Sequence, residues 1–68
     1  MKNNLKVHRA IHNLTQQDLA DKIQVSRQTI NTIEKGKYVP SALLVLKLAA
    51  VLETTVHEIF EIEESDWS

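Results

Sequence analysis

The 68-residue chain carries eight Lys and Arg, nine Asp and Glu and no cysteine, so neither disulfides nor a thiolate metal site can stabilise it. The chain is rich in Leu, Ile, Val and Ala and contains only one Gly, one Pro and three aromatic residues. This composition is typical of an all-helical domain. The first residues lack the apolar core of a signal peptide and no apolar run could span a bilayer, so we expect a soluble cytoplasmic protein.

The charge is divided unevenly along the chain. Residues 1–40 carry seven Lys or Arg and three acids, whereas residues 41–68 carry one Lys and six acids. A basic half and an acidic half suggest a side that faces DNA and a side that faces away from it. An ordinary solvated surface is the alternative, because the asymmetry is modest.

Periodicity and capping residues predict three helices in the first half of the chain. The first covers about residues 3–12. Thr15 caps the second, over residues 16–23, and Asp18 completes a capping box with it. Ser26 caps the third, over about residues 27–35, and Gly36 ends it in a left-handed conformation.

Two further helices follow the loop that Pro40 ends. Ser41 caps the fourth, over residues 42–52, and Thr55 with Glu58 opens a short fifth helix that ends near residue 60. The acidic tail "EIEESDWS" alternates Ile62 with acids and fits a short strand, an extended arm or a frayed end.

The second and third helices meet across the four residues "IQVS", which predicts a helix-turn-helix. The positions expected to face inward are Leu19, Ile23, Val25, Ile30 and Ile33. Ala20 is small enough for a close crossing of the two helices. The outer face of the third helix is left to Arg27, Gln28, Asn31 and Thr32. These side chains suit base edges in a major groove, although an ordinary polar helix face is the alternative.

The strings "LTQQDLADKI", "VSRQTINTIEKGKYVPS" and "LKLAAVLETTVHEIF" together resemble the helix-turn-helix domain of the lambdoid phage repressor/Cro superfamily, whose bacterial and archaeal members are often called XRE regulators. The resemblance covers residues 5–60. It implies a compact five-helix lambda-repressor-like domain over residues 1–60. The acidic residues 61–68 would then form a C-terminal arm, either a solvated terminus or a segment associated with a dimer.

The resemblance also assigns roles to individual residues. It implies that Arg27, Gln28 and Thr32 read bases, and that Asn31 either reads a base or holds the DNA backbone. The implied phosphate contacts are Gln16, Lys35, Lys37 and Tyr38, and Arg9 with Glu34 matches a structural ion pair.

Three positions depart from the family pattern. Gln24 and Glu53 stand where Gly is usual. A left-handed Gln24 would cost roughly 1 kcal/mol relative to Gly, so we expect a slightly remodelled turn. His8 replaces a large apolar residue and is expected to be a core histidine.

The fourth helix, "ALLVLKLAAVL", is apolar on nearly every side. Val45, Leu48, Ala49 and Leu52 suffice for the core, which leaves Leu43, Leu46 and Ala50 without a partner. We therefore expect a twofold homodimer through these residues, with Ile62 and Trp67 packing across. The predicted function is a regulator of transcription, a repressor that binds an inverted-repeat operator in double-stranded DNA. A protein-interaction module on the same fold, such as an antitoxin or a coactivator-like adaptor, is the alternative.

No catalytic constellation or phosphate-binding glycine loop is present, and five short helices leave little room for a concave pocket, so we predict no enzyme activity. His8 and His12 stand four apart, a spacing that can bind zinc, but no third ligand accompanies them. We expect no metal, no cofactor, no small-molecule substrate and no membrane partner. A small metal-dependent enzyme, as a second rival, rests only on those two histidines.

Overall fold

The computed structural model describes residues 1–67, and its helices agree with the five expected from the sequence. They are α1 (Leu5–Ile11), α2 (Gln16–Ile23), α3 (Arg27–Glu34), α4 (Ala42–Val51) and α5 (Val56–Ile59). Two short strands, β1 (Lys2–Asn3) and β2 (Phe60–Glu61), and a 3-10 helix, Glu64–Trp67, complete the described chain. The predicted five-helix architecture is confirmed, and the two strands are an addition to it. None of these helices has the length and apolar character needed to cross a membrane.

Hydroxyl side chains cap the N-termini of four helices, α2 to α5. At the start of α2, Thr15 Oγ1 accepts from the backbone N–H of Asp18 at 3.0 Å, and the Asp18 carboxylate accepts from the Thr15 N–H at 3.0 Å. Ser26, Ser41 and Thr55 each accept from the N–H three residues further on, at the starts of α3, α4 and α5. These bonds satisfy donors that have no partner within the helix, which explains why the predicted starts were correct.

The first four helices end in the same way. Each is followed by a left-handed residue with φ between 53° and 72°, namely Asn13, Gln24, Gly36 and Glu53. The next N–H along the chain then donates to the carbonyl five residues back, as from Val25 to Ala20 at 3.0 Å. Gln24 therefore keeps the geometry that Gly would adopt, and the remodelled turn expected from the sequence is absent.

The first helix begins at residue 5 rather than residue 3. The preceding residues form β1, which pairs antiparallel with β2 and sets Asn3 opposite Phe60. The side-chain Oδ1 of Asn3 accepts from the N–H of Leu5, the first residue of α1, at 3.2 Å, whereas the N-cap residue Asn4 makes no side-chain cap. Of the tail, only Glu61 belongs to a strand, and β2 spans the expected domain boundary at residue 60. Residues Glu64–Trp67 form a 3-10 helix, which is none of the three forms expected.

The core lies between α2, α3, α4 and α5, with Leu5 from α1. Leu44, which was not expected in the core, is buried with Leu48 and with Leu52 just after α4, at a spacing of four residues. Val45 is half-buried and packs against this core. His8 is half-buried at the flank and not in the core. His12 Nε2 lies 2.7 Å from the carbonyl oxygen of Leu52 and must carry the proton, because a carbonyl can only accept. This bond holds α1 against the end of α4.

Candidate nucleic-acid interface

The helix-turn-helix buries one face of α3 and leaves the other open. Ile30 and Ile33 are buried against the residues that α2 contributes to the core, and Ala20 is fully buried. On the opposite face, Arg27 and Gln28 are exposed, and Asn31 and Thr32 are half-buried. The predicted base-reading residues therefore share one accessible helix surface, anchored by two isoleucines.

Thr32 presents only part of its hydrogen-bonding capacity to a partner. Its hydroxyl donates to the backbone carbonyl of Gln28, one turn earlier in α3. The side-chain methyl group and the oxygen lone pairs remain available. Thr32 and Gln28 line a shallow groove with Lys37 and Tyr38, which places these two expected phosphate-binding residues beside the base-reading face.

A half-buried ion pair joins α1 to the end of α3, between the two residues expected to form it. Arg9 Nε donates to Glu34 Oε2 at 2.9 Å and Arg9 Nη2 donates to Glu34 Oε1 at 3.3 Å. The Arg9 guanidinium also donates to the carbonyl of Leu14 at 2.8 Å. The side chains are 15% and 9% exposed, so water screens this pair less than a surface pair.

Gln16 is drawn into the same network. Its amide nitrogen donates to Glu34 Oε1 at 3.1 Å and to Asn31 Oδ1 at 3.3 Å. Both amide hydrogens are therefore occupied within the chain. The sequence places Gln16 at the start of α2 for a phosphate contact, whereas the structure places its side chain between α2 and two residues of α3.

The acidic end of the chain reaches the end of α3. Lys35 is exposed and lines a cleft with Lys2, Glu34 and Glu61. Glu61 stands opposite Lys2 in the strand pair. The simple division into a DNA-facing half and a distant acidic half is therefore wrong at this position, because β2 brings a carboxylate beside the candidate DNA surface.

Asn3 is a residue that sequence analysis missed. Its side-chain Nδ2 donates to the carbonyl of Ile33 at 2.9 Å, which ties β1 to the last turn of α3. A two-residue strand is too short to give a periodic pattern, so the one available signal was an Asn two residues before the start of a helix.

The residues expected at a dimer interface are all exposed in the single chain. They are Leu43, Leu46, Ala50, Ile62 and Trp67. Trp67 is 78% exposed and lines a largely apolar groove with Val39 and Ile62. Val39 had not been assigned to this surface from the sequence.

Ionic contacts hold the C-terminal 3-10 helix at this groove. The Met1 amino group lies 3.0 Å from Glu63 Oε1 and 3.1 Å from Asp66 Oδ2, and hydrogen bonds to these carboxylates raise its pKa. The Glu63 N–H and then the Met1 amine lower the pKa of Asp66. The groove therefore has one charged margin.

No three His, Cys, Asp or Glu side chains within residues 1–67 are grouped as metal ligands would be. The proton on His12 Nε2 is already donated to Leu52. Of the two histidines weighed as zinc ligands, His12 thus serves to join two helices.

A family profile described as Helix-turn-helix matches residues 5–59, most of the chain, including α2 and α3. The chain belongs to this helix-turn-helix family. The predicted resemblance to repressor/Cro-type regulators is thereby confirmed. This family consists of DNA-binding regulators of transcription and is not a class of enzymes.

Relatives and solved structures agree with the family assignment. An uncharacterized HTH-type transcriptional regulator of Methanocaldococcus jannaschii is 54% identical over 97% of this chain and all of its own length. The regulator YgzD of Bacillus subtilis is 41% identical over the same shares. The restriction-modification controller protein C.AhdI of Aeromonas hydrophila superposes with a TM-score of 0.75 at 30% identity, over 82% of this chain and 85% of that one.

Proposed function

We propose that this helix-turn-helix protein is a sequence-specific repressor that binds an inverted-repeat operator as a homodimer. The observation that carries the proposal is the open face of α3, where four polar side chains are accessible while Ile30 and Ile33 hold the helix to the core. A helix so placed fits the width of a major groove. In this proposal the protein acts by occupying promoter DNA, and its location is the cytoplasm.

In the proposed complex, α3 supplies the base contacts. The Arg27 guanidinium suits guanine O6 and N7, and the Gln28 amide suits adenine N6 and N7. The Thr32 methyl group suits the methyl of thymine, because its hydroxyl hydrogen is donated within α3. Lys35, Lys37 and Tyr38 would then contact the sugar-phosphate backbone, and these contacts position the protein without reading sequence.

The proposed dimer uses the exposed apolar surface of the C-terminal half. Leu43, Leu46 and Ala50 lie along one side of α4, opposite its core face, and Ile62 and Trp67 add a second apolar area. Burying them would remove apolar surface from water, the main driving force of association. A twofold axis would set two copies of α3 about 34 Å apart, one helical turn of DNA. Sedimentation should therefore find a dimer, and a monomer at high micromolar concentration would contradict this part of the proposal.

Selection of bound sequences from random duplex DNA tests the proposed function directly. We expect an enriched inverted repeat whose half-site spacing fits one helical turn. A selection that enriches no sequence, at low salt and with folded protein, would refute it.

Two substitutions separate base reading from backbone binding. Arg27→Ala should weaken the selected site by about 1–3 kcal/mol and relax the preference at one base pair. Lys37→Ala should weaken selected and random DNA alike and reduce the salt dependence of binding by about one charge. Equal losses on both kinds of DNA for Arg27→Ala would remove it from the base-reading set.

A protein-interaction module on the same fold is the second candidate. The observation that favours it is the outer face of α1, where Val7 and Ile11, one turn apart, are 57% and 65% exposed. Such a face suits an apolar partner. A stable complex with a protein that Ile11→Glu abolishes, together with no salt-dependent DNA binding, would select this candidate over the repressor.

A further inference from the structure

A polar cleft of about 310 Å³ lies where β1 and β2 meet the end of α3. Two exposed lysines line it, Lys2 from β1 and Lys35 just after α3. Both strands lie outside residues 5–59, the part of the chain that the helix-turn-helix profile matches. The cleft is therefore an addition to the helix-turn-helix domain and not one of its shared features.

Lys35 connects this cleft to the open face of α3. Its backbone is still helical, with φ −79° and ψ −3°, and its N–H donates to the carbonyl of Asn31 at 3.1 Å. Residues four and seven apart in a helix share a face, so Lys35 lies in line with Asn31 and Gln28. The cleft therefore begins where the base-reading face ends.

Two contacts hold β1, and with it Lys2, at this place. Lys2 stands opposite Glu61 in the strand pair, and side chains opposite each other in an antiparallel pair lie on the same face. The next residue, Asn3, donates from Nδ2 to the carbonyl of Ile33 at 2.9 Å, in the last turn of α3. Because its backbone is already placed, Lys2 would lose less conformational entropy on binding than a lysine in an unpaired segment.

The negative groups along the cleft are satisfied within the chain, with one exception. The Glu34 carboxylate accepts from Arg9 at 2.9 Å and 3.3 Å and from Gln16 at 3.1 Å. The carbonyl of Ile33, at the negative end of the α3 dipole, accepts two N–H groups. The charges that remain are those of the two lysines and of Glu61, so the cleft keeps one surplus positive charge.

We infer that this cleft holds a phosphate group of the DNA backbone between Lys2 and Lys35, an inference that rests on the proposed function. Lysine binds phosphate as a point charge and needs no fixed orientation of its ammonium group. One surplus charge attracts a free anion weakly. A duplex already bound through α3 presents its phosphate at a high effective concentration, which favours DNA over a free phosphate compound.

The matched test compares Lys2→Gln with Lys6→Gln. Lys6 is exposed on α1, so its substitution removes the same charge from outside the cleft. Loss of one phosphate contact reduces the slope of the logarithm of the binding constant against the logarithm of the salt concentration by about 0.9. For a contact that contributes nothing at 1 M salt, Lys2→Gln should bind about 15-fold more weakly at 50 mM salt and about fourfold at 200 mM.

These losses should be the same on selected and on random DNA, because a phosphate contact reads no sequence. Lys6→Gln should weaken binding by less than about twofold and leave the slope unchanged. Equal effects of the two substitutions would overturn the inference and leave the proposed function standing. A loss confined to the selected sequence would also overturn it, because that pattern marks a base contact. A selection that enriches no sequence refutes the proposed function itself.

A double-variant cycle tests whether β1 positions the lysine. Asn3→Ala removes the bond to the Ile33 carbonyl. In that background Lys2→Gln should cost about fourfold or less at 50 mM salt, whereas Lys6→Gln should cost the same in both backgrounds. An undiminished effect of Lys2→Gln would overturn the positioning by β1. Thermal unfolding of each variant confirms that the fold is retained.

Inorganic phosphate distinguishes the DNA backbone from a free phosphate compound. It is titrated into the protein without DNA, at an ionic strength held constant with chloride, and the amide NMR signals of Lys35 and Gly36 are followed. We expect no saturation up to about 10 mM phosphate, because the cleft has one surplus charge. Saturation below about 10 mM would overturn the assignment to DNA and mark a site for a free phosphate compound.

Discussion

Removing the Arg9 side chain should destabilise the protein far more than the loss of a surface charge. Arg9→Ala deletes two bonds to Glu34, at 2.9 Å and 3.3 Å, and one to the Leu14 carbonyl at 2.8 Å. It leaves a carboxylate that is 9% exposed with Gln16 as its remaining donor. Breaking a fully buried pair costs about 3–5 kcal/mol, and partial solvent access lowers this to about 2–4 kcal/mol here.

That loss is large relative to the stability of a chain this short. Domains are stable by roughly 0.05–0.15 kcal/mol per residue, which gives about 3–10 kcal/mol for this one. The midpoint of thermal unfolding should fall by about 8–32 °C, at about 4–8 °C per kcal/mol. Urea unfolding at pH 7, followed by circular dichroism, measures the free energy directly.

Two companion variants make this experiment decisive. Lys6→Ala, an exposed change on the same helix, should alter stability by less than about 0.5 kcal/mol. Arg9→Met combined with Glu34→Leu should recover much of the loss, because no unpaired charge is left buried. If Arg9→Ala loses less than about 1 kcal/mol, or the double variant is as unstable as the single one, the pair is not the anchor described here.

Three further predictions concern other parts of the chain. Gln24 and Gly36 both have left-handed backbones, so Gln24→Gly should raise the free energy of unfolding measured with urea by up to about 1 kcal/mol. Gly36→Ala should lower it by about as much through the backbone alone, because the added methyl group meets no neighbouring atom. Hydrogen bonds from the backbone and side chain of Thr15 hold the pKa of Asp18 below its usual 3.8. The stability that Asp18 contributes is therefore complete above that value and is lost as the pH falls through the lowered pKa. Asp18→Asn should be less stable than the unsubstituted protein at pH 5, and the difference in the free energy of unfolding should shrink in acid. Glu61→Gln should tighten binding to all DNA by about twofold at low salt, the effect of one charge about 10 Å from a phosphate in water, and an unchanged affinity would show that β2 stays clear of the duplex.

Local chemistry made most of the fold predictable from the sequence. The hydroxyl caps Thr15, Ser26 and Ser41 act within one helical turn, so the helix starts could be placed without knowing the tertiary structure. The apolar spacing of Ile30 and Ile33 likewise predicted the buried side of α3, and the remaining side followed.

Features that depend on distant parts of the chain were missed. The pairing of Asn3 with Phe60 joins residues at opposite ends of the sequence, and neither two-residue strand has a recognisable pattern. The bonds from Gln16 to Glu34 and Asn31 depend on how α2 crosses α3, so a role assigned by resemblance could not include them. Leu44 is more deeply buried than Val45, because the rotation of α4 about its axis is set by its neighbours.

The strand pair also sets the order in which the nascent protein can mature. Asn3 leaves the ribosome well before its partner Phe60 has been synthesised. Helices α1 to α4 can begin to collapse during synthesis, yet the pairing of β1 with β2 must wait until residue 60 has been added. Because Asn3 also holds the carbonyl of Ile33, translation has to pass residue 60 before the end of α3 takes its final position.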